Sequence, residues 1–274
     1  MTGRRARHPF LDAPLPLAFA HRGGAAGAPE NTAEAFARAV ALGYRYLETD
    51  VRATRDGVAV LVHDPTLDRV AGEPAAVADL RWADLAAVRV GGASTVPTLA
   101  EVLAAWPAAR FNLDVKADAA VRPTLAAVRR AAAEDRVLLA SFSDARLARL
   151  RRLAGPAVAT SLGRRAVARL RLASLGRPAA LARPRLRASA VAAQVPLRAG
   201  RVRVVDPSFV RYAHRLGLQV HVWTVDDAVH MHQLLDLGVD GIMSDRLEVL
   251  RDVYRSRGHW HPGPGEDRPP AGRG

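Results

Sequence analysis

Cysteine is absent from the 274-residue chain. Disulfide staples, thiolate nucleophiles and thiolate metal sites are therefore excluded, and the redox compartment is left open. Aromatic residues make up only 5%, which leaves few platforms on which bases could stack. No run approaches the ~20 apolar residues that a membrane span requires. The opening stretch, Met1–Pro16, carries arginines but lacks the apolar core of a signal peptide. A cytoplasmic location is expected. Lysine is nearly missing too: Lys116 is the only one, and arginine supplies every other long cation.

Hydrophobic residues reach 49%, enough to fill the core of one large α/β domain. The formal charge of +13 raises the question of nucleic acid. The arginines are spread along the chain and stacking aromatics are scarce, so no nucleic-acid partner is expected. The charge suits an anionic small-molecule substrate, with peripheral contact to a membrane surface as a milder consequence. No feature of the sequence fixes an oligomeric state.

Short apolar runs alternate with longer amphipathic ones. The strand candidates are Leu17–Ala20, Tyr46–Val51, Val58–His63, Phe111–Val115, Val137–Phe142, Ala157–Ser161, Val191–Val195, Val220–Val225 and Gly241–Ser244. Helical runs lie between most of them, with Asn31 and Ser143 as expected caps. Strand followed by helix, repeated, implies parallel strands with crossover helices. Eight such units close a (β/α)8 TIM barrel of ~250 residues. The ninth strand is explained by Asp56-Gly57, a strong hairpin signal between apolar runs. A two-residue loop there pairs Arg55 with Val58 and sets Asp50 opposite His63. The expected organisation is an N-terminal extension over 1–16 and a barrel domain over 17–257. The latter has a β-hairpin after strand 2 and a small inserted cap over about 64–108. A Pro/Gly-rich disordered tail is expected over 258–274.

In parallel barrels the chemistry sits at the C-terminal strand ends. Here those ends carry His21-Arg22-Gly23-Gly24, Glu48 with Asp50, His63-Asp64, Asp114 with Lys116, Trp223-Thr224 and Ser244-Asp245. A lysine retained in an arginine-rich background marks a place where a compact ammonium fits and a planar fork does not. Asp114 lies two residues earlier, on the same face of a strand. Taken singly, a histidine at a strand end or a tryptophan on a strand is ordinarily structural. Taken together, these residues would bury several charges at one mouth, at several kcal/mol for each one left unpaired. Glu48, Asp50 and Asp114 repel one another unless a cation sits among them. A hard divalent ion, Mg²⁺ or Ca²⁺ rather than zinc, suits an all-oxygen set.

The runs His21-Arg22-Gly23, Pro29-Glu30-Asn31-Thr32, Glu48-Thr49-Asp50-Val51, Asp56-Gly57 and His63-Asp64 with Leu67 and Arg69 resemble the glycerophosphodiester phosphodiesterase family. Pro97-Thr98-Leu99-Ala100-Glu101-Val102, Asn112-Leu113-Asp114-Val115-Lys116, Val222-Trp223-Thr224-Val225 and Gly238-Val239-Asp240-Gly241-Ile242 follow in that family's order. The likeness runs from about residue 17 to 250 and is weakest over 145–205. It implies a barrel enzyme that hydrolyses glycerophosphodiesters to sn-glycerol 3-phosphate and an alcohol, aided by a divalent cation. It also implies His21 and His63 as acid and base, Glu48, Asp50 and Asp114 as metal ligands, Arg22 and Lys116 on phosphate, and Trp223 in the substrate pocket. Which imidazole is the acid stays open, a pairing of His63 with Asp50 favouring His63. The attacking group, water or the substrate's own hydroxyl, stays open too. Asp114 stands where the family usually has Glu, and Val70-Ala71-Gly72 departs from its cap pattern. His214, His221, His230 and His232 match no motif and are read as structural or solvated, with His221 facing the helix layer. The rival readings are a lysophospholipase D-like activity on lysolipids and an inactive barrel that binds anions.

Overall fold

The alternation of strand and helix closes on itself. The computed structural model describes residues 8–176 and 190–263. Its strands are β1 (Leu17–Ala20), β2 (Tyr46–Ala53), β3 (Ala59–Leu61), β4 (Arg110–Val115), β5 (Val137–Ala140), β6 (Ala159–Ser161), β7 (Ala190–Pro196), β8 (Gln219–Trp223) and β9 (Gly241–Ser244). All except β3 run parallel, in the order β1-β9-β8-β7-β6-β5-β4-β2, and β1 pairs back onto β2 through Phe19 and Tyr46. A helix follows each barrel strand: α1 (Ala33–Ala41), α2 (Leu99–Ala105), α3 (Val121–Arg130), α4 (Asp144–Ala154), α5 (Arg164–Ser174), α6 (Pro207–Arg215), α7 (Ala228–Asp236) and α8 (Leu247–Ser256). This is the TIM barrel that the sequence implies. No described helix is long and apolar enough to cross a membrane.

Local chemistry sets the helix starts. Thr98, Ser143, Asp206 and Asp227 each accept a backbone N–H of the first turn, and Thr98 forms a capping box with Glu101. The cap of α1 is Thr32, not Asn31. Asn31 is held at φ +58° and turns its side chain inward, where it donates to Asp50 and accepts from Thr49.

The hairpin after β2 exists, but its register differs from expectation by one residue. Ala53 pairs with Ala59, Arg52 with Val60 and Val51 with Leu61. The loop has three residues, Arg55-Asp56-Gly57, with Gly57 at φ +81°. Asp-Gly here fills the turn and bulge of a longer loop rather than a two-residue turn. The Asp50 carbonyl consequently accepts from the Val62 N–H, and His63 lies one step past the pairing. Tyr46–Val51 of β2 pair with β4 in the barrel. The last three residues of β2 carry β3.

The insertion that follows holds two short antiparallel ladders and two one-turn helices around its own apolar cluster, which includes Leu67, Val77, Leu85 and Val96. It ends before Leu99, earlier than the expected 108, because Leu99, Val102 and Leu103 of α2 pack into the main core.

Inward-facing residues stack in layers. The bottom layer is apolar, with Leu17, Phe19, Tyr46, Leu138 and Ala159, and it is stoppered by Phe10 and Leu11. The stopper is tied by Tyr46 Oη donating to the Phe10 carbonyl at 2.8 Å and by His8 Nε2, 2.7 Å from the Ala157 carbonyl oxygen. Residues 8–11, expected to be a mere extension, are thus part of the barrel floor. The start of the expected tail is ordered as well: Gly263 N–H donates to Gly43 O, and Trp260 packs edge-on against Tyr44. Residues 264–274 lie outside the described residues. Above the floor is a polar layer in which Gln194 donates to Asn112 and approaches His221. His221 therefore faces the barrel interior, against Phe19, not the helix layer. The alternation of β8 decides this: Val220 and Val222 pack among the helices, which turns His221 and Trp223 inward. Full burial pulls the His221 imidazole down to about 4, so it is neutral and structural at physiological pH.

Candidate active site

The top layer is ionic. One cavity of about 820 Å³ opens at the C-terminal strand ends and is lined by His21, Arg22, Glu48, Asp50, His63, Asp114, Lys116 and Trp223. These are the eight residues to which the family resemblance gives a role.

His21 and Arg22 occupy a tight turn after β1, with Arg22 at φ +52°. That conformation is strained for a residue with a Cβ. It aims the Arg22 N–H at Glu48 Oε2, 3.1 Å away. Gly23 follows because a Cβ there would sit 2.7 Å from Ala35 Cβ, which lets the turn press onto α1. His21 Nδ1 lies 2.8 Å from Asp245 Oδ1 after β9, and Nε2 lies 3.7 Å from Glu48 Oε2. Burial alone would lower the His21 pKa, but Glu48 and Asp245 outweigh it, and the net shift is upward. Burial raises Glu48 to about 7, and the charges of Asp50 and Asp114 add to the rise.

Lys116 occupies the position its neighbours demand. Its Nζ lies 2.9 Å from Asp50 Oδ1 and 2.6 Å from Asp114 Oδ2. Asp114 and Lys116 do share a face, and Asp50 joins them because β2 and β4 pair residue 50 with 114. Burial favours the neutral acid, but Lys116 and Arg22 hold the Asp50 pKa below the usual range, whereas for Asp114 burial wins and the pKa rises. Among the described residues, no three acids or histidines converge closely enough to hold a metal ion as they stand. The cation between these acids is the lysine. Asp114 Oδ1 is nevertheless buried with no hydrogen-bond partner.

His63 is oriented by its neighbour, not by Asp50: its Nδ1 lies 2.7 Å from Asp64 Oδ1. Asp64 accepts from Arg69 Nε at 2.6 Å, the Arg69 fork grips Glu30, and Glu30 accepts from Arg22 Nη1 at 3.0 Å. An ionic chain therefore runs from one histidine to the arginine beside the other, through the insertion. Glu30, Asp64, Arg69 and Asp245 have no assigned role on sequence alone, and Asn31 only that of a cap, although all lie within or beside its motifs. Phe142, which meets Trp223 edge-on at 5.5 Å, carries no signal beyond its place at a strand end.

Two histidines held at Nδ1 by carboxylates present Nε2 as the working atom. Asp245→Asn is expected to lower the His21 pKa, since it removes a charge that raises it. The limb of the kcat/KM–pH profile carried by His21 then moves to lower pH. A profile unchanged from wild type would show that Asp245 does not set this imidazole.

The model of the Glycerophosphoryl diester phosphodiesterase family matches residues 21–249. A Mycobacterium tuberculosis protein, named as a probable glycerophosphodiester phosphodiesterase 2, is 45% identical over 246 residues, which cover 89% of this chain and 92% of that one. A glycerophosphodiester phosphodiesterase of Caldanaerobacter subterraneus is 30% identical over 88% of this chain and 99% of its own. Among solved structures, the glycerophosphodiester phosphodiesterase of Agrobacterium tumefaciens superposes with a TM-score of 0.72 at 25% identity, covering 88% of this chain and 100% of that one. A phosphodiesterase of Oleispira antarctica, solved with its product sn-glycerol-3-phosphate, reaches 0.72 at 22% identity over 88% of this chain and 97% of its own.

Proposed function

The chain belongs to the glycerophosphoryl diester phosphodiesterase family, and from that premise we propose that it hydrolyses glycerophosphodiesters to sn-glycerol 3-phosphate and an alcohol in the cytoplasm. One observation carries the reading: two carboxylate-held imidazoles and two cations line the same cavity. A phosphodiester is a poor electrophile because it is anionic. Arg22 and Lys116 set positive charge at the cavity floor, where the phosphoryl oxygens gain negative charge as the bond to the alcohol breaks. One imidazole takes the proton of the attacking oxygen, and the other returns a proton to the departing alcohol oxygen. Trp223 and Phe142 form the wall for the glycerol.

The residues present fit a hard divalent cation, Mg²⁺ or Ca²⁺. The donors of Glu48, Asp50 and Asp114 are all oxygen, and one oxygen of Asp114 is buried without a partner. Those three side chains would hold the ion, which when bound supplies Lewis-acid stabilisation to the phosphoryl group.

A second reading has its own support. Beyond the ionic floor the cavity wall is apolar, with Leu162, Val167, Leu172, Val195 and Val204, more than a glycerol requires. That wall suits the acyl chain of a lysolipid, a lysophospholipase D-like activity. Incubation with glycerophosphocholine and with lysophosphatidylcholine separates the two, since both release choline but only the first yields sn-glycerol 3-phosphate. Choline release from the first substrate, abolished by EDTA and restored by Mg²⁺ or Ca²⁺, is expected. Undiminished turnover in EDTA would remove the cation from the reading, and no release from either substrate would overturn both activities.

A further inference from the structure

Arginine is spread along the chain, but its counter-charge is not. Residues 145–205 contain fifteen arginines and neither aspartate nor glutamate. This stretch thus holds +15 against +13 for the whole chain, which leaves the remainder at −2. Eleven of these arginines are among the described residues, and they gather in one sector, on or beside α4, α5 and β7. Arg177, Arg183, Arg185 and Arg187 fall outside the described residues. Arg171 finds a partner in Asp206, and Arg146 in Asp118. Arg164, Arg165, Arg169, Arg198, Arg201 and Arg203 are exposed, and their side chains form no ion pair with an acid among the described residues.

The same sector carries the apolar half of the cavity mouth. Ala168 and Leu172 line the cavity from α5, and Leu175 extends that face one turn further. Ala199 and Val202 line it from a two-residue ladder after β7, whose outer positions are Arg198 and Arg203. Phe142 completes the rim. Of the six large hydrophobic side chains exposed among the described residues, four are here: Phe142, Leu172, Leu175 and Val202, each 43–57% exposed. Arginines interleaved with exposed aliphatic and aromatic side chains match the two layers of an anionic bilayer surface, phosphate outside and hydrocarbon beneath. A nucleic-acid face would share the arginines but would have no use for the aliphatic rim.

We propose that this sector docks the protein reversibly on an anionic lipid membrane, with the cavity mouth facing the bilayer. The arginines supply the attraction, and Phe142, Leu172, Leu175 and Val202 enter the interface. Docking concerns where the protein works and holds whichever substrate the cavity takes.

Sedimentation of the full chain with vesicles tests it. Binding to phosphatidylglycerol-rich vesicles, falling with salt, and little binding to pure phosphatidylcholine are expected. The triple variant Arg169→Glu/Arg198→Glu/Arg201→Glu should lose affinity on the order of 100-fold, about fivefold per arginine. It should retain wild-type turnover of water-soluble glycerophosphocholine. Leu175→Ser, with the charge intact, should weaken vesicle binding by up to about tenfold and leave its salt dependence unchanged. Equal binding to both vesicle types, or full binding by the triple variant, overturns the proposal. So does a duplex oligonucleotide that displaces the protein from vesicles, which would make the sector a nucleic-acid site.

Discussion

His63→Ala is expected to lower turnover of glycerophosphocholine by 10²–10⁴-fold, the usual contribution of one positioned acid or base, with the fold intact by circular dichroism and an unchanged thermal midpoint. His63 makes the cleaner test because it sits at the edge of the cavity, beside Asp64, which keeps its own salt bridge to Arg69 after the change. His21→Ala should cost at least as much activity. It also leaves Glu48 and Asp245 facing each other without the imidazolium between them, so stability should fall as well. If the two imidazoles serve one proton-transfer cycle, the double variant will lose little more than either single one. Multiplicative losses would show that the histidines act independently, and a His63→Ala protein with wild-type kcat would remove it from the chemistry.

Lys116 offers the second large effect, read in stability as well as rate. It is the cation between Asp50 and Asp114, and both acids are almost fully buried. Lys116→Met leaves Asp114 without its cation and Asp50 with Arg22 alone, at a cost of up to about 3–5 kcal/mol, the range for removing one partner of a buried pair. The pH dependence has a defined sign. Lys116 holds the folded Asp50 below the ordinary aspartate value of 3.8, so the stability it confers is complete above that value and is lost as pH falls through the folded pKa. The gap between wild type and variant in urea titrations should therefore be full at pH 7 and shrink below about pH 4. Lys116→Arg keeps the charge, but it sets a bulkier planar fork in a largely buried place fitted to a compact ammonium 2.9 Å and 2.6 Å from its two carboxylates. A loss of activity of at least tenfold is expected. Full activity and stability in the arginine variant would show that the single lysine is compositional chance.

Lys116 also shows which parts of the molecule can be read from the sequence. Its pairing with Asp114 follows from the two-residue period of a strand, which holds wherever the strand is regular. Asp50 joins because barrel strands align their ends, a consequence of closure. Asp-Gly announces the hairpin for a sound reason but leaves its register open by one residue. The dipeptide serves both two- and three-residue loops, and only the packing of Val60 and Val62 against the insertion chooses between them. The period of β8 is readable, but not which phase faces inward; the barrel interior accepts His221 because Gln219 and Gln194 both reach its ring. The role of Asp245 escapes because its partner is distant in sequence. A residue 224 positions away is visible only once the ring has closed.

The barrel floor has one more implication. The described chain enters at His8 and leaves at Gly263, and both are fastened near Tyr44–Tyr46 at the end opposite the catalytic mouth. A fusion partner or solid support joined directly at His8 or Gly263 would therefore sit behind the enzyme. Tethered this way, the molecule would point its opening outward, free to meet whatever bears its substrate.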